Sequence, residues 1–187
     1  MHPLLVALFF LAQPFWETKP PEQWTDVQID YIRHASPWVQ NVGPEQVLLV
    51  WLATAEPIRQ AEAEARLRTR RPELEPDPDY AQFLTESADK NLVLAIAYPS
   101  LKGLGNAEEQ HRMEEESEMI VARKHYKMVG HFPPTPTDPV LRLVFPREVR
   151  ATDKSVEFQL YIAGVPFPER EVEFRVKDLF YHGKLSM

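Results

Sequence analysis

The sequence predicts an α+β domain: an antiparallel or mixed sheet of six or seven strands with two to four peripheral helices. Three observations predict it. Two near-continuous apolar runs, QVLLVWLAT (residues 46–54) and NLVLAIAY (91–98), have the length and content of strands covered on both faces. VEFQLYI (156–162) and EVEFRV (171–176) alternate apolar and polar side chains with the period of half-buried strands. Between them lie charged segments that open with helix-start signals.

The elements follow in order. Thr25 with Gln28 makes a capping box, and Asp26 suits the positive end of a helix dipole, so a helix is expected over residues 26–34. Pro37 disfavours the α conformation at Ser36 and ends it. After the first buried strand, Glu56 and Pro57 open a helix that runs to Arg71, with arginines at its negative end and an apolar face of only Ile58, Ala61 and Ala65. Such a helix lies shallowly on its neighbour and is mostly wet. PELEPDPD reads as an acidic, proline-rich loop, residues 80–89 as a short helix leading into the second buried strand, and the segment 99–106 as a glycine-bearing break. Residues 107–118 form a polar, acidic helix or loop, 119–128 a third strand, 131–139 a linker and 140–145 a further strand. A phase change in the alternation after Val176 predicts a bulge near Lys177 and Asp178. The last three long strands are expected as consecutive antiparallel neighbours joined by short loops.

Composition bounds the function. The chain has 187 residues, 44% hydrophobic and 26% charged, with net charge −7. This is a normal globular balance that implies no basic face, so no nucleic-acid partner is expected. With no cysteine, disulfides, thiolate metal sites and cysteine nucleophiles are excluded. The run LLVALFFLA (residues 4–12) has the length of a signal-peptide core and is too short for a transmembrane span. The expected organisation is therefore a signal peptide over residues 1–12, an extended connector over 13–23 and a single domain over 24–187, exported to the periplasm or beyond the cell.

No catalytic, metal or cofactor motif emerges. The six histidines lack metal-ligand spacing, Gly103 and Gly105 form a GxG without the rest of a dinucleotide pattern, and no serine sits in a GxSxG elbow. Glu114, Glu115 and Glu116 are adjacent, so a helix splays them apart into a solvated face. Two arginines stand at strand–loop junctions where a guanidinium fork can hold a ligand carboxylate: Arg59 at the opening of a helix and Arg147 in FPR. Trp24 and Trp38 bracket the first helix and read as packing anchors, Trp24 stapling onto Val27 or Ile29. Trp16, in the connector, reads as exposed. Trp16, Arg59 and Arg147 are thus the candidate contacts for a ligand or partner.

FWETKPPEQWTD (15–26), SPW (36–38), WLATAEPIRQAEA (51–63), LVLAIAY (92–98), LVFPR (143–147) and VEFRVKDLFYHGKL (172–185) together resemble a family of exported acidobacterial proteins of unknown function. Val39 stands where that pattern has alanine. The resemblance implies an export signal and one compact domain, and carries over no catalytic residue. The reading that remains is a non-enzymatic envelope or secreted binding domain, whose partner is a protein or a small apolar ligand. A hydrolase with a site assembled from scattered residues and a carrier of a small apolar ligand are the alternatives.

Overall fold

Alternation decides where each strand's side chains go. In β2 (Leu48–Leu52), Leu48, Val50 and Leu52 are buried while Leu49 and Trp51 face the other way. β3 (Asn91–Ala97) and β7 (Val140–Pro146) are buried on both faces and pair along their whole length, Asn91 opposite Pro146 and Ala97 opposite Val140. In the computed structural model, which describes residues 13–43, 47–69, 77–98 and 106–187, these strands belong to a five-stranded antiparallel sheet. Its order is β1-β2-β3-β7-β6, with β1 (Val39–Val42) and β6 (Gly130–Phe132) at the edges. A second antiparallel sheet has the order β5-β4-β8-β9, built from β4 (Glu118–Val121), β5 (Lys124–Lys127), β8 (Ser155–Tyr161) and β9 (Glu169–Arg175). A hairpin of β10 (Phe180–Tyr181) and β11 (Lys184–Leu185) closes the chain.

The two sheets share one core. Leu92, Leu94, Ile96, Leu141, Leu143 and Phe145 of the first meet Met119, Val156, Phe158, Leu160, Val172 and Phe174 of the second. The rings of Phe145 and Phe158 touch edge to face at 5.3 Å, a geometry that adds to the area each ring buries. The outer face of the larger sheet carries Ala53, Val93, Ala95 and Val144, covered by Tyr80 and Phe83 of α4 (Pro78–Glu86). The outer face of the smaller sheet is wet, with Glu169, Glu171, Glu173 and Arg175 exposed along β9.

Two further helices pack side by side: α2 (Asp26–Ala35) and α3 (Glu56–Thr69). The capping box at Thr25 and Gln28 is present. α3 buries Pro57, Ile58, Ala61 and Ala65, the narrow face expected of it. α5 (Ala107–Glu116) joins β3 to β4.

The α+β class holds, and several details are corrected. The strands divide between two large sheets and a small hairpin instead of forming one sheet. β7 and β8 are not neighbours, because the chain crosses between the sheets after Pro146; an inward-facing alternation is the same whichever sheet it joins. The single strand expected over 119–128 is a hairpin, turning at Ala122 and Arg123 with φ of 49° and 67°. That is the left-handed pair a two-residue turn needs, supplied here without glycine or asparagine to announce it. β1 and β6 are short edge strands that lack an apolar run, and β6 takes the first residues of the expected linker. The expected bulge is a 3-10 turn at Val176–Asp178.

The connector is also more structured than its prolines suggest. It holds α1 (Phe15–Thr18) and a 3-10 turn at Pro21–Gln23. Trp16 is only 9% exposed, correcting the expectation that it lies in solvent: its ring stacks on Tyr31 at 5.9 Å and meets Trp38 edge-on. Trp24 and Trp38 are interior, and of the two staple partners Ile29 is buried while Val27 is 79% exposed. The leader at residues 1–12, Arg70 and Arg71, most of the acidic proline stretch and the Gly103–Gly105 turn lie outside the described residues.

Candidate functional site

Trp51, Ala95 and Arg142 stand opposite one another across β2, β3 and β7. Opposed residues share a face of a sheet, so this row lies on the outer side, with a methyl group between two large side chains. α3 passes on one side and α4 on the other. The result is a cleft of about 450 Å³ whose wall includes Trp51 and Arg142 from the sheet, Glu62 and Arg66 from α3, Tyr80 from α4 and Arg33 from α2.

One wall is pinned. Arg142, in the middle of an apolar strand, is 8% exposed and forks onto Asp138 at 2.8 and 3.2 Å. Its guanidinium also lies 4.2 Å from the centre of the Tyr80 ring. Asp138 accepts in addition from the Asp77 backbone N–H at 3.4 Å, tying the start of α4 to the strand. Burial, with Glu62 adding to it, pushes the Tyr80 hydroxyl's pKa far upward, so it stays protonated.

The opposite wall is not. Glu62 and Arg66 stand one helical turn apart and Arg33 approaches from α2, yet none of the three makes a hydrogen bond or ion pair among the described residues. Glu62 keeps a partial opening to the cleft, but its carboxyl is surrounded by protein. Burial pushes its pKa above the ordinary carboxylate value against the pull of Arg142, Arg66 and Arg33. Glu62, Arg33 and Trp51 also bound an adjoining void of about 50 Å³ beside Leu49 and Ile58. The wall of the cleft therefore combines two guanidinium groups and one carboxyl that have no hydrogen-bond or ion-pair partner among the described residues, beside an indole ring.

Of the three residues singled out from sequence, only Arg59 lines this cleft. It is at the rim, half-exposed and 3.6 Å from Glu56. Arg147 donates to the main-chain carbonyls of Met187, Ala88 and Asn91, each at 2.8 Å, which makes it a clamp between three chain segments. Burial lowers its pKa. Trp16 edges a separate shallow groove of about 820 Å³ with Tyr31 and Phe180. Arg142 was missed from sequence, although it interrupts VLRLVF with Asp138 four residues before it: a charge in an apolar strand needs a partner.

The described histidines sit in separate pairings, His125 with Glu118 at 2.8 Å and His131 with Glu114 at 3.5 Å among them. No group of three metal-ligating side chains occurs among the described residues, and no helix there is long and apolar enough to cross a membrane. Compared with known proteins, the chain matches no family model, no curated protein and no solved structure.

Proposed function

We propose that this is an exported, non-enzymatic binding domain whose α3–α4 cleft holds a small anionic ligand. The observation that carries the reading is the pair Arg33 and Arg66, which line the cleft with no hydrogen-bond or ion-pair acceptor among the described residues. Unpaired guanidinium groups at a concave site are suited to carboxylate or phosphate oxygens, and the volume falls within the usual range of about 300–1,000 Å³ for ligand pockets. Trp51, Leu84 and Val140 offer apolar contact for the rest of such a molecule.

Binding is preferred to turnover because Glu62 stands alone. Asp138 is committed to Arg142, and Glu56 to Arg59 and Gln60, which leaves one carboxyl where acid–base hydrolysis needs two groups in distinct roles. The leader at residues 4–12 and the resemblance to exported acidobacterial proteins support export.

A thermal-shift panel of carboxylates, phosphates and neutral analogues tests the site. Anions should raise the midpoint of the wild type and leave an Arg33→Met/Arg66→Met variant unmoved. Equal stabilisation of both proteins sinks the reading. Cell fractionation with intact-mass measurement tests export: a cytosolic product that retains residues 1–12 removes that part.

A further inference from the structure

The unresolved chemistry of the cleft is why a carboxyl stands among arginines without bonding to any of them. Glu62 lies one turn from Arg66 on α3 and lines both the cleft and its adjoining void together with Arg33 and Trp51. An acid group that bonds both guanidinium groups shares their surroundings with Glu62, whose carboxyl is within electrostatic reach of each. A second carboxyl set beside Glu62 disfavours ionisation of both, which adds to the burial of Glu62 and favours one proton shared between the pair.

We propose that the cleft takes a small carboxylate with an apolar body, its acid group set between Arg33, Arg66 and Glu62, and that one proton enters with it to be held on Glu62. This deepens the anion-binding reading and rests on it. The groups facing Glu62 are Arg33 and His34 from α2, Glu56, Arg59 and Arg66 from its own helix, Arg142 and Asp138 from β7 and the loop before it, and Tyr80 from α4. Four are arginines that do not titrate, Asp138 is fixed by Arg142, Glu56 accepts from Gln60 beside Arg59, and Tyr80 stays protonated. That leaves the Glu62 carboxyl as the proton's place, with His34 as the group to control for. Burial already favours the protonated form of Glu62 before a ligand arrives.

The apolar body follows from the rest of the wall. Trp51, Ala63, Leu84 and Val140 line the cleft alongside the charges. They favour an aryl or branched aliphatic acid over a compact inorganic anion.

The test is calorimetric titration of the full domain with phenylacetate, phenylacetamide and phenethylamine between about pH 5.5 and about pH 8, in buffers of different ionisation enthalpy. Phenylacetate should bind best, with proton uptake approaching one and with Kd rising by up to about tenfold per pH unit above the free-state pKa of Glu62, the limit for one linked proton. Glu62→Gln, which imitates the protonated acid, should bind phenylacetate with a Kd flat across that range, and His34→Asn should keep the wild-type slope. Phenylacetate binding without proton uptake, and unchanged in Glu62→Gln, overturns this inference while leaving the anion site standing. Tighter binding of the amide or the amine, or no binding of any probe, overturns both.

Discussion

The indole N–H of Trp38 donates to the main-chain carbonyl of Ser186 at 2.8 Å, joining residues 148 positions apart. The ring is fully buried just beyond the end of α2, so the bond fastens the α2–β1 junction to the segment after β11. Trp38→Phe keeps an aromatic filler but leaves that carbonyl without its donor. The substitution should destabilise the domain by about 1–3 kcal/mol for the unpaired group, with further loss from the smaller ring. Urea unfolding should show a lower midpoint and an unchanged m-value.

Ser186 holds a second joint. Its hydroxyl accepts from the Glu56 backbone N–H at 2.8 Å, so the first free donor of α3 is satisfied from the opposite end of the chain. Ser186→Ala should cost about 1 kcal/mol, the usual value of a lost helix cap. Amide exchange should quicken in the first turn of α3 and stay unchanged in β3 and β7. A uniform change across all amides would mean that the hydroxyl is not acting as a cap.

These joints explain what the sequence could and could not disclose. The elements governed by local chemistry were legible: the capping box at Thr25, the buried runs of β2 and β3, and the alternation of β8 and β9. Whether β7 lay beside β8 was not, because the inward residues Leu141, Leu143 and Phe145 satisfy either sheet equally. Trp16 was misread for a related reason. Apart from Phe15, whose ring meets it edge-on at 5.0 Å, its sequence neighbours are prolines and polar residues, and Tyr31 and Trp38, brought in by α2, complete an interior for it. The cleft was least visible of all, since Arg33, Trp51, Glu62 and Arg142 come from four elements and share no spacing in the sequence.

Arg147 separates a clamp from a ligand fork. It bonds three main-chain carbonyls and lies largely out of water, so its removal leaves several acceptors unsatisfied at once. Arg147→Met should lower stability by at least about 2 kcal/mol, and Arg147→Lys should recover only part of it, because one ammonium cannot reach three diverging carbonyls. Both variants should retain anion binding in the α3–α4 cleft at temperatures where they are folded. Full stability in Arg147→Met would return the residue to the list of ligand contacts.

Glu62 and Glu118 should give stability profiles of opposite sign. Burial raises the Glu62 pKa in the folded state, so between the unfolded value near 4.5 and the folded value the native chain binds more protons than the unfolded one. The stabilising contribution of its protonated form is complete below the unfolded value and is lost as pH rises through the folded one. Glu118 is the reverse: hydrogen bonds from His125 and Lys127 hold its pKa down, so its contribution is present above the unfolded value and is lost as pH falls through the folded one. Urea titrations across pH should therefore show Glu62→Gln gaining on the wild type towards neutral and basic pH and converging with it in acid. Glu118→Gln should lose most at neutral pH and converge with the wild type in acid. A Glu62→Gln variant that is less stable than the wild type at about pH 8 would mean that the ionised carboxylate is held by the surrounding arginines more strongly than burial disfavours it. That would place an ion pair where the cleft has been read as open.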